Sequence, residues 1–308
     1  MGTVLAVCTS SKKGVQKEPT DSVTLREDWG IEGDAHVGHW HRQVSLLSAE
    51  SVEAFRARGA DVDDGAFGEN LVVAGLGELS RLRVGTRFEV GDCLLELSQV
   101  GKACHSHCHI FDAVGDCIMP REGVFTVVLG GGTIRPGDDI TLIPPDPKRP
   151  FTAAVVTLSD RAAAGEYEDA SGPLIAGLLE QTGYRVLERV LLPDGRARLA
   201  VELSRLADQR QVSVVFTTGG TGLSERDQTP EATREVCERE VPGIGEALRA
   251  NAARFTPHAL LSRQTAGIRR STLIVNLPGS PKACREDLEF LLGPLSHGLE
   301  VLRGIEVH

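Results

Sequence analysis

Seven residues near the middle of the chain, Pro144-Pro-Asp-Pro-Lys-Arg-Pro150, constrain its fold more than any other stretch. Proline offers no backbone N–H and fixes φ, so neither a helix nor a sheet ladder runs through such a segment. The stretch predicts a stiff, extended spacer with a boundary near residue 148, giving one domain over 1–147 and a second over 148–308. With 308 residues, each half is long enough to bury its own core.

The hydrophobic rhythm changes across the spacer. Ahead of it, short apolar runs (Thr3–Val7, Val44–Leu47, Leu71–Val73, Phe88–Val90, Leu94–Val100, Val124–Leu129 and Ile140–Ile143) are separated by Gly, Asp and Asn turns. That spacing predicts a mostly β domain, a barrel or a curled sheet. One helix is expected there, Ser48–Arg58, with Ser48 as N-cap. Beyond the spacer, strands alternate with helices. Strands are expected at Phe151–Leu158, Arg185–Leu192, Val212–Phe216 and Thr272–Asn276. Helices are expected at Asp169–Thr182, Arg196–Gln209, Glu231–Arg239, Ile244–Ala253 and Pro281–Leu302, the last interrupted at Gly293-Pro294. This order predicts an α/β domain in three layers with a mainly parallel sheet, whose ligands bind at the carboxyl ends of the strands.

Composition narrows the function classes. Residues 1–150 carry 15 Lys and Arg against 22 Asp and Glu, and residues 151–308 carry 18 against 21, so neither half is a basic nucleic-acid surface. No apolar run is long enough to span a membrane. The N-terminal residues read as a first strand, with no basic region ahead of the apolar stretch, and a cytoplasmic location is expected. Seven scattered cysteines favour free thiols or metal ligands over disulfides.

The most informative stretch is Phe216-Thr-Thr-Gly-Gly-Thr-Gly-Leu-Ser-Glu-Arg-Asp-Gln-Thr-Pro-Glu-Ala-Thr233. A buried strand leads into Gly219, Gly220 and Gly222, and Thr229-Pro230-Glu231 then opens a helix, with Thr229 expected as its N-cap. A strand, a glycine turn and a helix N-terminus together make an anion site. Asp227 is placed to bind Mg²⁺ or to anchor a substrate. On the residues alone, the stretch is equally a glycine-rich turn ahead of a capped helix.

The motif TTGGTG-x₃-RD-x-TPEAT resembles the signature of the MogA/MoaB family of molybdenum cofactor biosynthesis. Four further segments match in order: Thr157-Leu-Ser-Asp-Arg161 with Gly165, Asp169, Ser171 and Gly172; Leu192-Pro-Asp194; Leu261-Ser-Arg263; and Asn276-Leu-Pro-Gly-Ser-Pro-Lys-Ala283. The resemblance implies a molybdopterin adenylyltransferase that joins molybdopterin to AMP from Mg-ATP and releases pyrophosphate. It implies catalytic roles for Asp194, Asp227 and Ser262. It places Thr218, Gly219, Gly220, Thr221 and Gly222 in a phosphate loop, and Ser159, Asp160, Pro278 and Gly279 along the pocket. Arg226 and Arg263 are available for phosphate contacts. Self-association as a trimer through this domain is a further implication.

The first half resembles a MOSC domain, through Gly33-Asp-Ala-His-Val-Gly38, Arg42-Gln-Val44, Phe67-Gly-Glu-Asn70, Gly101-Lys-Ala-Cys104 and Gly131–Asp138. By that resemblance Cys104 occupies the sulfur-handling position, with His36, Arg42 and Asn70 beside it. The domain would bind the molybdenum cofactor or transfer sulfur, with sulfur-donor or molybdenum-insertion proteins as partners. Lys102 and His105 would help lower the Cys104 pKa. Cys104 and Cys108, with His105, His107, His109 and Cys117, form a composition that could instead hold a thiophilic metal, although the spacing matches no standard zinc repeat. Two other functions stay open at this stage. One is a non-catalytic molybdopterin-binding scaffold. The other places the main activity in the first half, as sulfur transfer or reduction of N-hydroxylated bases.

Overall fold

The structure is a computed structural model that describes residues 1–102 and 115–304. It divides into two compact units, Met1–Asp146 and the chain from Pro147 onward.

The first unit is a closed barrel. The strands run Gly2–Thr9, Leu71–Ala74, Val44–Ser48, Val124–Gly130, Cys93–Val100, Arg87–Val90 and Asp139–Ile143, and the last pairs back onto the first. These are the seven apolar runs read from the sequence. Only Val44–Ser48 and Leu71–Ala74 pair in parallel; the other pairings around the ring are antiparallel. The barrel is filled by Val4, Val44, Leu46, Val73, Phe88, Leu95, Leu97, Val124 and Ile140. Glu18–Thr20 adds to the first strand, and Gly132–Ile134, Val23–Arg26 and Gly30–Ile31 form a small separate sheet. The helix Ala49–Arg56 is capped by Ser48, whose hydroxyl accepts from the Ser51 N–H, as expected.

The second unit is an α/β domain. Its sheet runs Arg185–Leu192, Thr152–Leu158, Val214–Thr218, Thr272–Leu277, Ala266–Arg269 and Arg239–Glu240. The first four strands are parallel; Ala266–Arg269 pairs antiparallel with Thr272–Leu277, and Arg239–Glu240 pairs antiparallel with Ala266–Arg269. Alternate residues of the central strands enter separate cores. Val155, Phe216 and Val275 pack under the helices Ser171–Gln181 and Pro281–Arg303, while Val156, Val215 and Ile274 pack under Arg196–Asp208 and Thr229–Val236. Both faces are therefore covered, which accounts for the unbroken apolar character of these strands.

Three local expectations are corrected. The helix Pro281–Arg303 continues through Pro294. That residue faces solvent while Leu288, Leu291, Leu295 and Leu299 stay buried, so the carbonyl that loses its N–H partner can be hydrated. The proline stretch is not extended throughout, since residues 147–149 turn. The Arg303 guanidinium gathers the carbonyls of Pro147, Arg149 and Pro150 and lies 4.1 Å from the Phe151 ring centroid. The helix expected from Glu231 begins at Thr229, capped by Gln228 without a side-chain bond. The Thr229 hydroxyl has another use, described below.

Candidate functional site

The carboxyl ends of the four parallel strands bring the sequence-predicted residues of the second domain together. Ser159 follows the strand Thr152–Leu158, Asp194 follows Arg185–Leu192, Gly219 follows Val214–Thr218, and Pro278 follows Thr272–Leu277.

The glycine turn needs its glycines for two separate reasons. Gly219 and Gly220 have φ of +97° and +64°, where a side chain is strained. A Cβ on Gly219 would also overlap the Leu158 carbonyl oxygen, and one on Gly220 would overlap the Thr229 hydroxyl. Gly222 has no positive φ, but a Cβ there would lie 2.8 Å from Asp227 Oδ2. The Thr229 hydroxyl donates to the Gly219 carbonyl at 2.9 Å, and the Thr229 N–H donates to Gly220 O at 3.1 Å. The residue read as a helix cap thus holds the turn closed. Among the described residues, the N–H groups of Gly219, Gly220, Thr221 and Gly222 take no acceptor. The turn offers a set of backbone donors at a strand end, as anion-binding nests do.

Several neighbours are structural supports. The Thr218 hydroxyl donates to Pro278 O at 2.6 Å, and Ser171 Oγ donates to Gly279 O at 2.9 Å, which ties two strand ends and a helix together. Ser159 Oγ accepts from Ala162 N as an N-cap. Arg263, expected among the phosphate contacts, is committed to the protein. Its guanidinium donates to the carbonyls of Gly222 and Asp227 and pairs with Glu231, and its N–H holds Thr221 O at 2.9 Å. Arg263 therefore shapes the loop from behind.

The carboxylates gather on the open side. Asp227 Oδ2 accepts from Ser224 N at 2.9 Å and so orders the segment after the glycines. Asp194 and Asp160 are locked reciprocally: Asp160 N donates to Asp194 Oδ2 at 3.2 Å, and Asp194 N donates to Asp160 Oδ1 at 3.0 Å. Arg226 approaches Asp160 Oδ2 at 3.4 Å in an exposed pair. Burial raises the Asp194 pKa; repulsion from Asp160 and Asp227 adds to this, against the Asp160 N–H bond and the Arg226 charge. The three acids therefore share one electrostatic environment. Beside them an open cavity of about 500 Å³ is lined by Asp194, Gly195, Arg196, Arg198, Gln228 and Glu235. No three His, Cys, Asp or Glu side chains among the described residues form an all-protein metal cage.

Ser262 lies one residue from Arg263, beside the loop. Its hydroxyl donates to Gln264 Oε1 at 2.9 Å. Gln264 and its further partner Asp287 were missed from the sequence. The helical phase that places Cys284, Leu288 and Leu291 in the core also carries Asp287 inward.

In the first domain, Asp34 joins two predicted residues. The His36 N–H donates to Asp34 Oδ1 at 2.8 Å, and Asn70 Nδ2 donates to Asp34 Oδ2 at 3.1 Å. Asn70 also accepts from Ser45 N and Ser45 Oγ and donates to Cys8 O, so it is a buried pin. Lys17, which no sequence pattern flagged, is buried against Asp34 and lies 3.4 Å from His36 Nδ1. Burial alone would raise the Asp34 pKa, but hydrogen bonds from His36 and Lys17 and the Lys17 charge pull it well below the usual carboxylate range. The Arg42 guanidinium lies 4.8 Å from the Trp40 ring centroid. Cys104 and Cys108 lie outside the described residues, as do His105, His107 and His109. Cys117 is buried among Leu47, Phe55, Phe67 and Met119, an apolar setting.

A mainly parallel sheet covered by helices on both faces, with a glycine turn and grouped carboxylates at the carboxyl ends of its strands, defines an α/β domain with its candidate site where such sheets bind ligands. The sequence-family description "Probable molybdopterin binding domain" matches residues 154–297, and "MOSC domain" matches residues 33–141. The chain is 42% identical over 152 residues to a molybdopterin adenylyltransferase of Helicobacter pylori, covering 49% of this chain and 86% of that protein. It is 44% identical over 137 residues to the Escherichia coli K12 protein of the same name, covering 44% and 70%. A crystal structure of the molybdopterin biosynthesis enzyme MoaB from Thermus thermophilus is 44% identical, with a TM-score of 0.48, covering 50% of this chain and 97% of that one. The chain belongs to the MogA/MoaB family through its second domain and carries a MOSC domain ahead of it.

Proposed function

We propose that the second domain adenylylates molybdopterin with Mg-ATP and releases pyrophosphate, within molybdenum cofactor biosynthesis. The observation that carries this reading is the Gly219–Gly222 turn, whose unengaged amides lie at the same end of the sheet as Asp160, Asp194 and Asp227. In this reaction a phosphate oxygen of the pterin attacks the α-phosphorus of ATP and pyrophosphate leaves. Two anions must be held together, so the work of the protein is positioning and charge balance. The turn amides hold one phosphate without adding bulk.

The donor set suits Mg²⁺. Asp227 and Asp194 each spend one carboxylate oxygen on a backbone N–H, which leaves oxygens for a cation that binds one or two carboxylates plus substrate phosphates. Asp227 and Asp194 would hold it, and when bound it would offset the phosphate charge. Arg198, in the wall of the neighbouring cavity, would meet the remaining anionic groups.

For the barrel domain, the proposal is binding of the molybdenum cofactor or sulfur transfer through Cys104, with His36 and Asn70 held together by Asp34. Sulfur-donor or molybdenum-insertion proteins would be its partners. Trimerisation through the second domain and a cytoplasmic location complete the reading.

The test is to incubate the purified chain with molybdopterin and Mg-ATP and to follow adenylylated pterin and pyrophosphate. The expected result is product from the wild type and none from Asp194→Ala or Gly220→Asp. Nucleotide and pterin binding with no pyrophosphate release would instead support a scaffold.

A further inference from the structure

Behind Ser262 lies a chain of polar groups with no place in the proposed chemistry. Gln264 is 3% exposed and Asp287 is fully buried. Gln264 Nε2 donates to Asp287 Oδ2 at 2.7 Å, and Gln264 Oε1 accepts from Ser262 Oγ at 2.9 Å. Gln264 is fixed from two further sides. Arg249, on the helix Pro242–Ala252, donates to its backbone carbonyl at 2.6 Å, and its Nε2 also lies 3.4 Å from Asn276 O. A carboxylate can only accept, so the Gln264 amide must turn its NH₂ toward Asp287 and its oxygen toward Ser262. The Ser262 proton is then committed inward, one lone pair accepts from the Gln264 N–H at 3.4 Å, and the remaining lone pair is what the hydroxyl can offer a ligand.

We infer that Asp287 is a positioning residue that acts through Gln264 to fix Ser262 as a hydrogen-bond acceptor for an N–H or O–H donor of the bound substrate. The inference rests on the adenylyltransferase reading for its substrate, but the geometry that motivates it does not involve the glycine turn. A purely structural role would not need an ionisable group in this place. Asp287 Oδ1 has no hydrogen-bond partner among the described residues, so the carboxylate is poorly satisfied as a core residue. Its one well-made contact is the bond that orients Gln264.

Asp287→Asn tests this. The asparagine can present either its oxygen or its NH₂ to Gln264, so only the long 3.4 Å contact with Asn276 O still orients the Gln264 amide and the polarity of Ser262 is loosened. The expected result is a rise in KM for molybdopterin of about three- to tenfold, the size of one neutral hydrogen bond, with kcat changed less. In the Ser262→Ala background the same substitution should have no further effect. Gln264→Leu should reproduce the KM change and be non-additive with Asp287→Asn. An Asp287→Asn effect that persists undiminished in Ser262→Ala, or an unchanged KM, overturns the inference. If the wild type releases no pyrophosphate, the adenylyltransferase reading has failed. The same double-mutant cycle is then read as the dissociation constant for molybdopterin, from quenching of pterin fluorescence, and coupling between the two sites still decides the matter.

Discussion

Replacing Asp287 by asparagine should stabilise the second domain, by an amount that follows from its burial. Removal from water pushes the Asp287 carboxyl up to about 6 from 3.8; the Gln264 bond opposes the shift and Glu286 adds to it. The folded state therefore holds this proton more tightly than the unfolded chain. Stability from this group is fully present below the unfolded pKa and is lost as pH rises through the folded one. A shift of roughly two units corresponds to about 3 kcal/mol lost by neutral pH, about half of it already gone at pH 5. Asparagine does not ionise, so the variant avoids the loss. Urea unfolding of the full chain would be followed at several pH values between 5 and 7.5, taking the transition of the second unit. The Asp287→Asn minus wild-type difference should be positive and grow by between about 1 and 2 kcal/mol over that range. Other groups titrate alike in both proteins and cancel. A difference that stays flat with pH, or a variant less stable than wild type at pH 7.5, would refute the reasoning.

Other perturbations have expected outcomes of their own. Gly219→Ala combines a φ of +97° with overlap against the Leu158 carbonyl, and should cost about 2–4 kcal/mol in the second unit's unfolding transition while abolishing pyrophosphate release. Arg263→Lys keeps the charge but cannot hold Gly222 O, Asp227 O and Glu231 together, so turnover should fall at least tenfold with little change in overall charge, checked by steady-state kinetics. Lys17→Met leaves Asp34 buried without its cation; the barrel should lose about 3–5 kcal/mol, seen as a lower urea midpoint for the first unit, with the second domain's activity retained.

How much of this was legible beforehand depends on which interaction decides each feature. The seven barrel strands could be read because each is an apolar run bounded by turn residues. The small sheet of Gly132–Ile134, Val23–Arg26 and Gly30–Ile31 could not, since its strands are two to four residues long and too short to show a period. The glycine turn was legible because only glycine satisfies a left-handed φ and a close backbone approach at once. The Thr229 hydroxyl differs from its expected role because a hydroxyl before proline can accept from the helix as a cap or donate to a carbonyl, and only the fold shows that Gly219 O is in reach as an acceptor. Arg263 was misread for the same reason: sequence gives a donor its charge but not its acceptors. Asp287 was hidden in the charged run Arg285-Glu-Asp, although helical phase placed it on the buried stripe.

These misreadings share a physical origin that bears on how the site works. Side chains around the glycine turn, including those of Thr218, Thr229, Ser171 and Arg263, spend their hydrogen bonds on backbone carbonyls. That leaves the N–H side of the turn unengaged, the side on which the proposed phosphate would sit. A rigid nest of this kind gains nothing by reorganising when an anion arrives, which is the condition for electrostatic stabilisation of a phosphoryl-transfer transition state. The carboxylates show the opposite compromise. Asp194 and Asp287 both have pKa values raised by burial, so each is held in a setting that its charged form would not choose. Groups that weaken the fold are expected where chemistry requires them. If both acids serve the site, neutralising either one should make the domain more stable and the enzyme worse. If stability and activity fell together at either position, that residue would be a scaffold residue and would leave the proposed site.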